Sequence, residues 1–319
     1  MDYNPLVSVG ILTYNSSKYI IDALESVKNQ TYKNIELIVS DDCSKDNTVD
    51  ICREWIEENK SRFVNTTLLT VEKNTGTCAN GNRRFAACKG EWIKGCAGDD
   101  ALFPDCIEKF VNFVTTHPEA KFVVGKIKEY RFTFDEENLE EGHMSKYYKD
   151  HFHILDKSTK EQFNRMLYGN SFIPPAVFSN LAVVRDLGGY DEKYGILEDF
   201  PFYLKVLKAG YKFYKLDEFV SKYRSSDTNV CGRMDVLYNY RFHYYRHQVI
   251  RDLCFPYYTL RERIRTDYFF YTIWILNKLG VRKNTPFNRY LRTAIHFMFA
   301  ILTFDLGQLR IYFRKTLQH

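Results

Sequence analysis

LVSVGILTYNSSKYIIDALESVKNQTYKNIELIVSDDCSKDNT, residues 6–48, decides the fold. Leu6 to Leu12 and Ile35 to Ser40 are short aliphatic, β-branched runs, and both read as buried strands. Between them Ser16 or Ser17 is placed to cap a helix with Ile20, Ala23, Leu24 and Val27 on one face. After the second run Asp46 or Asn47 is placed to cap another, with Val49, Cys52, Trp55 and Ile56 as its inner stripe. Strand, helix, strand, helix is the pattern of a mainly parallel sheet with helices on both faces. In such sheets ligands bind beyond the carboxyl ends of the strands.

Outward from this stretch the alternation continues: a strand over Thr67–Val71, a helix over about Asn80–Cys88, and a strand over Trp92–Cys96. Pro104 suits the first turn of a helix reaching about Thr116, and Lys121–Ile127 is strand-like. Between Glu129 and Lys160 the pattern dissolves into charged and aromatic residues, which predicts a surface excursion. Order resumes over Ala176–Val184, followed by a turn at Gly188 and Gly189, a helix over about Glu198–Ala209 ended by Gly210, and a strand over Tyr211–Leu216. Beyond Thr228 the sequence reads as several helices.

The chain has 319 residues, 45% of them hydrophobic. At this length roughly three quarters of the unfolded surface can be buried, so neither disulfides nor a structural metal are needed. The eight cysteines never lie two or three residues apart, which argues against zinc knuckles, iron–sulfur clusters and redox dithiols. They read as reduced core residues, and MDYNPLVSVG has no signal-peptide pattern, so a cytoplasmic location is expected. Loop histidines His143, His151 and His153 lack the partners a metal centre demands and read as solvated. GxxxxGK and a GxGxxG after the first strand are both absent, and no RNA-binding signature appears, so nucleic acid is not an expected partner.

Acidic residues recur at strand ends: Asp41 and Asp42 after IELIVS, and Asp99 and Asp100 after EWIKGCAG. Glu198 and Asp199 precede the helix FPFYLKVLKAG. Each alone is an ordinary turn former or helix cap. Together, on one rim, adjacent carboxylates suit a hard divalent cation, and a carboxylate at a helix start suits a general base.

With these residues in view, the chain resembles family 2 glycosyltransferases of the GT-A fold over about Leu6–Arg224. The resemblance rests on the opening stretch, then NTGTCANGN, GEWIKGCAGDDALFPD, GGYDEKYGILEDFPFYLKVLKAGYKF and the pair Tyr223–Arg224. It implies an α/β fold, a Rossmann-like mainly parallel sheet flanked by helices, with a C-terminal helical region added. The implied domains are 1–229, with a nucleotide-binding part at about 1–118 and an acceptor-binding part at about 119–229, and then 230–319. Thr13, Tyr14, Asn15, Gly76 and Asn82 would line the nucleotide site. Asp42 would read the base with Asp41 beside it. Asp99 would touch ribose and diphosphate, and Asp100, with Asp99, would hold Mn2+ or Mg2+. Asp199 would be the catalytic base supported by Glu198, its ionised form favoured by the helix dipole.

The implied reaction is transfer, with inversion, from a UDP-linked sugar to a hydroxyl of a glycan or polyprenyl-diphosphate-linked acceptor in bacterial surface-polysaccharide synthesis. The alternative is a non-catalytic relative that binds a nucleotide sugar or a partner. Departures from the family pattern are Ala97 where many relatives carry Asp, Gly81 where many carry Arg, and no His after Tyr223–Arg224.

Residues 230–319 differ in kind, with fifteen Lys and Arg against five Asp and Glu among many Tyr, Phe and Leu. No apolar run there approaches the ~20 residues of a spanning helix. The composition suits helices lying in a membrane interface on the inner face of the cell membrane, or a helical subdomain with a solvated basic face.

Overall fold

The structure, a computed structural model, describes residues 3–140, 152–170, 172, 174–225 and 236–302. The chain divides into two compact units, Met1–Ser225 and Ser226–His319.

In the first unit, β1 (Val7–Thr13), α1 (Ile20–Lys28), β2 (Ile35–Asp41), α2 (Thr48–Asn59), β3 (Asn65–Leu69), α3 (Thr77–Ala87) and β4 (Trp92–Ala97) form the expected βα series. Then come β5 (Ala101–Leu102), α4 (Cys106–Thr116), β6 (Phe122–Arg131), β7 (Leu139–Glu140) and α5 (Thr159–Met166). The unit closes with β8 (Val177–Asn180), α6 (Leu181–Asp186), α7 (Asp199–Lys208) and β9 (Phe213–Ser225). The sheet order is β3-β2-β1-β4-β8-β6-β9-β5, with β7 on β6. β3, β2, β1 and β4 run parallel, as expected, whereas β8 is antiparallel to both β4 and β6. The sheet is therefore parallel in its first half and mixed in its second.

The alternation of β1 explains how it is covered. Val7, Val9 and Ile11 join α1, α2 and α4 residues in one core that includes Leu24, Trp55 and Phe110. On the other face Gly10 stands beside Gly95 of β4, and the two glycines leave a slot filled by the buried side chain of Arg84 from α3. A Cβ at Gly10 would lie 2.3 Å from Arg84 Cδ. Gly10→Ala is expected to destabilise the fold by about 1–3 kcal/mol through overpacking, read by urea denaturation. An unchanged midpoint would show that Arg84 has room to move.

Insertion of β8 follows from its aromatic residue. Phe178 stacks on Trp92 at 5.0 Å and on Phe110 at 4.8 Å, ring centre to ring centre. Lys94, wholly buried in β4, donates through Nζ to Pro175 O at 2.6 Å and pins the approach to β8.

Several boundaries moved. α1 begins after Tyr19 without a side-chain cap, later than Ser16 and Ser17, whose backbone amides donate to Thr48 Oγ1 and Asp46 Oδ2. At α2 the N-cap is Asn47, without a side-chain cap bond, and Asp46 just before it accepts from Thr48 N at 3.1 Å. α3 starts three residues earlier than expected. The expected excursion at 129–160 contains the end of β6, β7 and the start of α5, which has a capping box between Ser158 and Glu161. Gln162 of α5 exchanges two hydrogen bonds with the backbone of Phe213, at 2.9 and 3.0 Å, docking α5 on β9. His153 lies in a short 3₁₀ turn, while His143 and His151 lie outside the described residues.

The second unit is helical, with α8 (Tyr240–Val249), α9 (Leu260–Lys278) and α10 (Pro286–Leu302). His247 of α8 stacks on Phe270 of α9 at 4.1 Å and bonds Asp267 at 2.7 Å. Among the described residues, no helix is long and apolar enough to cross a membrane.

Candidate active site

Parallel registry brings three loops to one rim. Thr13 pairs with Asp41 at the ends of β1 and β2, and Leu12 pairs with Ala97 at the end of β4. Asp42 N donates to Thr13 O and Gly98 N to Leu12 O, so residues 13–15, 41–42 and 98–100 follow these ends directly.

Asp41 and Asp42 are both buried, and protein donors hold both. Asp41 accepts from Thr13 Oγ1 at 2.8 Å and from Ser44 N at 2.8 Å, which shapes the turn after β2. Asn15, at φ 53, closes the same turn by accepting from Lys45 N. Tyr14, between them, is half exposed. Asp42 accepts from Thr75 N, Thr75 Oγ1, Gly76 N and Arg83 Nη2, the last at 2.8 Å. Burial works to raise its pKa, but these donors prevail and hold the carboxyl below its ordinary value. Asp42 is therefore already engaged by protein groups, and Arg83 brings a cation to it.

The same packing explains Gly81. A Cβ there would lie 2.5 Å from the Tyr190 ring, so the position tolerates no side chain, and α3 supplies its cation two residues on. Asn82 is committed elsewhere: its Nδ2 donates to Tyr190 O and Glu192 Oε1, and its Oδ1 accepts from Tyr190 N. Through these bonds it ties the loop leading to α7 onto α3. Cys78 N donates to Gly195 O at 3.3 Å in the same seam.

Asp99 and Asp100 follow β4, with Asp100 almost fully buried and Asp99 more open. Burial raises the pKa of both, and the neighbouring Asp99 charge raises Asp100 further, well above the ordinary carboxylate range. Arg224 of β9 binds this corner. Its backbone N donates to Asp100 Oδ1 at 3.0 Å, its Nε to Asp99 O at 2.7 Å, and its Nη2 to Asp22 Oδ2 at 2.6 Å. Its guanidinium lies over the rings of Tyr19 and Phe134, 4.2 and 4.0 Å from their centres.

At α7, Asp199 Oδ1 accepts from Phe200 N at 2.7 Å and Oδ2 from Asn170 Nδ2 at 2.6 Å. The carboxylate is partly open at its surface, yet surrounding protein pushes its pKa up to about 6 against the pull of those donors. The expected preference for the ionised form at a helix start is thus outweighed by desolvation. Glu198 rises to about 8, through burial and then the Asp199 charge. The two carboxyls titrate as a pair, in steps near 6 and 8, with Asp199 the more acidic member.

Arg224 was legible only as half of a dipeptide, and Asn170, in the aperiodic stretch YGNSF, gave no signal. Among the described residues there is no cluster of three or more His, Cys, Asp or Glu side chains placed to hold a metal ion by themselves.

A parallel sheet extended by an antiparallel strand, with acidic loops on the carboxyl rim, is the arrangement of the GT-A fold. Its solved counterparts include S. aureus TarS residues 1–349 in complex with UDP-GlcNAc, TM-score 0.58 and 18% identical, covering 83% of this chain and 71% of that one. A mannosyltransferase of Pyrobaculum calidifontis in complex with GDP-Man and Mn2+ is also similar, at TM-score 0.56 and 14% identity, over 99% of this chain and 81% of that one. An uncharacterized glycosyltransferase of Methanocaldococcus jannaschii is 27% identical over 69% of this chain and 71% of its own length. Residues 8–179, more than half of the chain, match the model of glycosyl transferase family 2, and the chain belongs to that family.

Proposed function

We propose that this chain is an inverting glycosyltransferase that moves a sugar from a nucleoside diphosphate donor, most simply UDP-linked, to a hydroxyl of a glycan or lipid-linked glycan acceptor. Residues 1–118 hold the nucleotide, with Thr13, Tyr14, Asn15, Asp41, Asp42 and Gly76 around it, and 119–229 receive the acceptor. The observation that carries the reading is the Glu198–Asp199 pair at the start of α7, where Phe200 N and Asn170 Nδ2 hold the Asp199 carboxylate. Titrating as a pair near 6 and 8, it keeps a carboxylate able to take a proton from an attacking hydroxyl at neutral pH. Family membership supports the same chemistry.

Asp99 and Asp100 fit a divalent cation. Burial and mutual repulsion make their paired charge costly, and two hard oxygen donors suit Mg2+ or Mn2+ completed by diphosphate and water. Bound there, the cation would neutralise charge on the departing diphosphate. Arg224 fixes the Asp99 carbonyl and the Asp100 carboxylate, and Arg83 sets Asp42.

A panel of nucleotide sugars including UDP-GlcNAc and GDP-mannose, with and without Mn2+ or Mg2+, tests the reading by nucleoside diphosphate release. Metal-dependent release from one donor supports it. Donor binding without turnover, with extracted lipid-linked acceptors present, would leave a non-catalytic binder.

The acid limb of kcat is expected near pH 6, because activity is lost as Asp199 takes up its proton on going down through its raised pKa. A limb near pH 4 would place the base elsewhere.

Exposed Leu260, Trp274, Leu279, Phe287 and Tyr290 lie in a sequence rich in Arg and Lys. This supports contact of the second unit with an anionic membrane at the inner leaflet, in keeping with a lipid-linked acceptor in polysaccharide assembly. Flotation of the full chain with phosphatidylglycerol vesicles, but not with phosphatidylcholine vesicles, is expected. Equal recovery with both would assign those residues to another role.

A further inference from the structure

Asn170 lies between α5 and β8, and its amide has one end occupied and one empty. Nδ2 donates to Asp199 Oδ2 at 2.6 Å, while the other carboxylate oxygen takes the backbone N–H of Phe200 at 2.7 Å. Two donors on separate segments thus fix the plane of the carboxylate. Asn170 Oδ1, in contrast, is buried with no hydrogen-bond partner. Buried amide oxygens are nearly always satisfied, so an orphan here calls for a reason.

The reason lies in what a base must undergo. A carboxylate accepts hydrogen bonds only, but once protonated it carries an O–H that needs an acceptor. A backbone N–H cannot reverse its polarity. A side-chain amide can, by turning about its last torsion, and the Asn170 amide breaks no hydrogen bond at its oxygen when it does so.

We propose that Asn170 is the positioning residue of the Asp199 base and serves both of its protonation states. Nδ2 holds the carboxylate before reaction, and Oδ1 receives the new Asp199 O–H afterwards. This rests on the reading of Asp199 as base. In the step itself the acceptor O–H bond breaks as its oxygen bonds the anomeric carbon. The bond from that carbon to the diphosphate oxygen breaks, its electron pair leaving with the nucleoside diphosphate. The proton ends on Asp199, and Asn170 exchanges none.

The titratable groups facing Asp199 are Glu198 beside it, Cys78 of α3 and Tyr190, with the Arg84 guanidinium acting on Glu198 and Tyr190. None of them bonds Asn170 Oδ1, so the amide's empty end is not committed to another charge.

Asn170→Leu removes both ends of the amide at similar volume. Two readouts apply: the pH profile of nucleoside diphosphate release from UDP-GlcNAc or GDP-mannose, and infrared titration of the carboxyl band that Asp199→Asn abolishes. Release is expected to fall about tenfold or more, and both the acid limb and the infrared midpoint to rise by about one pH unit, because the charge-assisted bond from Nδ2 to the ionised form is stronger than the neutral bond that replaces it after protonation, so its loss weighs more. Donor KM and melting temperature should stay unchanged. Asn170→Ser, whose hydroxyl both donates and accepts, should recover part of the rate. A merely structural role would move the melting temperature or donor KM and leave the midpoint in place, and that result overturns the proposal. Full turnover by Asp199→Asn would remove the base reading instead. The infrared midpoint would then still report whether Asn170 governs that carboxyl.

Discussion

Asp199→Asn is expected to reduce nucleoside diphosphate release by about 10²–10⁴-fold, the usual worth of a general base, while the protein melts at the same temperature or higher. The reduction follows from removing the carboxylate of the pair with the lower pKa. Glu198 is a poor substitute, because burial, the larger cause of its raised pKa, remains in the variant after the Asp199 charge has gone. The gain in stability follows from linkage. Both carboxyls titrate higher in the fold than in the unfolded chain, so each stabilises below its unfolded pKa and loses that contribution as pH rises through its folded value. At pH 7 the fold therefore carries an ionised Asp199 that burial disfavours, and asparagine removes it. Rate and melting curve measured on one preparation separate this from unfolding. A variant that is slow and also melts earlier would point to lost architecture rather than lost chemistry.

Arg224→Ala is expected to cost on the order of 3 kcal/mol of folding stability, from buried carbonyl acceptors left unpaired and packing on two rings lost, the pair with half-exposed Asp22 adding little. The side chain is 1% exposed and joins Asp22, the carbonyls of Asp99 and Phe132, and two aromatic faces. Its removal strands Asp99 and Asp100 in a buried corner with less positive charge nearby. Lysine should recover little, because it lacks the planar fork that reaches several acceptors at once. Guanidinium denaturation measures the cost, and a loss under 1 kcal/mol would mean that water reaches the corner and replaces the guanidinium. If the variant remains folded, its requirement for Mn2+ or Mg2+ should rise, since the loop carrying both aspartates has lost its clamp.

The sequence declared the parallel half because each of its elements carries a local signal. β1 and β2 are unbroken aliphatic runs, and α1 buries the four residues expected of it, Ile20, Ala23, Leu24 and Val27. The second half depends on partners distant in the chain. The four-residue β8 is too short to show a period, and its direction comes from Phe178 settling between Trp92 and Phe110. The acidic residues were visible because their strands were. Their neighbours were not: Arg83 meets Asp42 across 41 positions, Asn170 meets Asp199 across 29, and Arg224 meets Asp22 across 202. Such pairings are products of the fold and leave no periodic trace.

The placement of β8 also dictates the order in which the molecule can be completed on the ribosome. β1, β2, β3 and β4 can pair as soon as Ala97 has emerged, but the outer edge of β4 then waits for residues 177–180, with 98–176 still to be made. At ~5–20 residues per second this is a delay on the order of ten seconds. For that interval the nascent chain shows an open strand edge containing Trp92 and Ile93, the kind of surface that recruits a neighbouring chain or a chaperone. Lys94, later sealed against Pro175, sits in the middle of that edge and keeps a charge on it until its intended partner arrives.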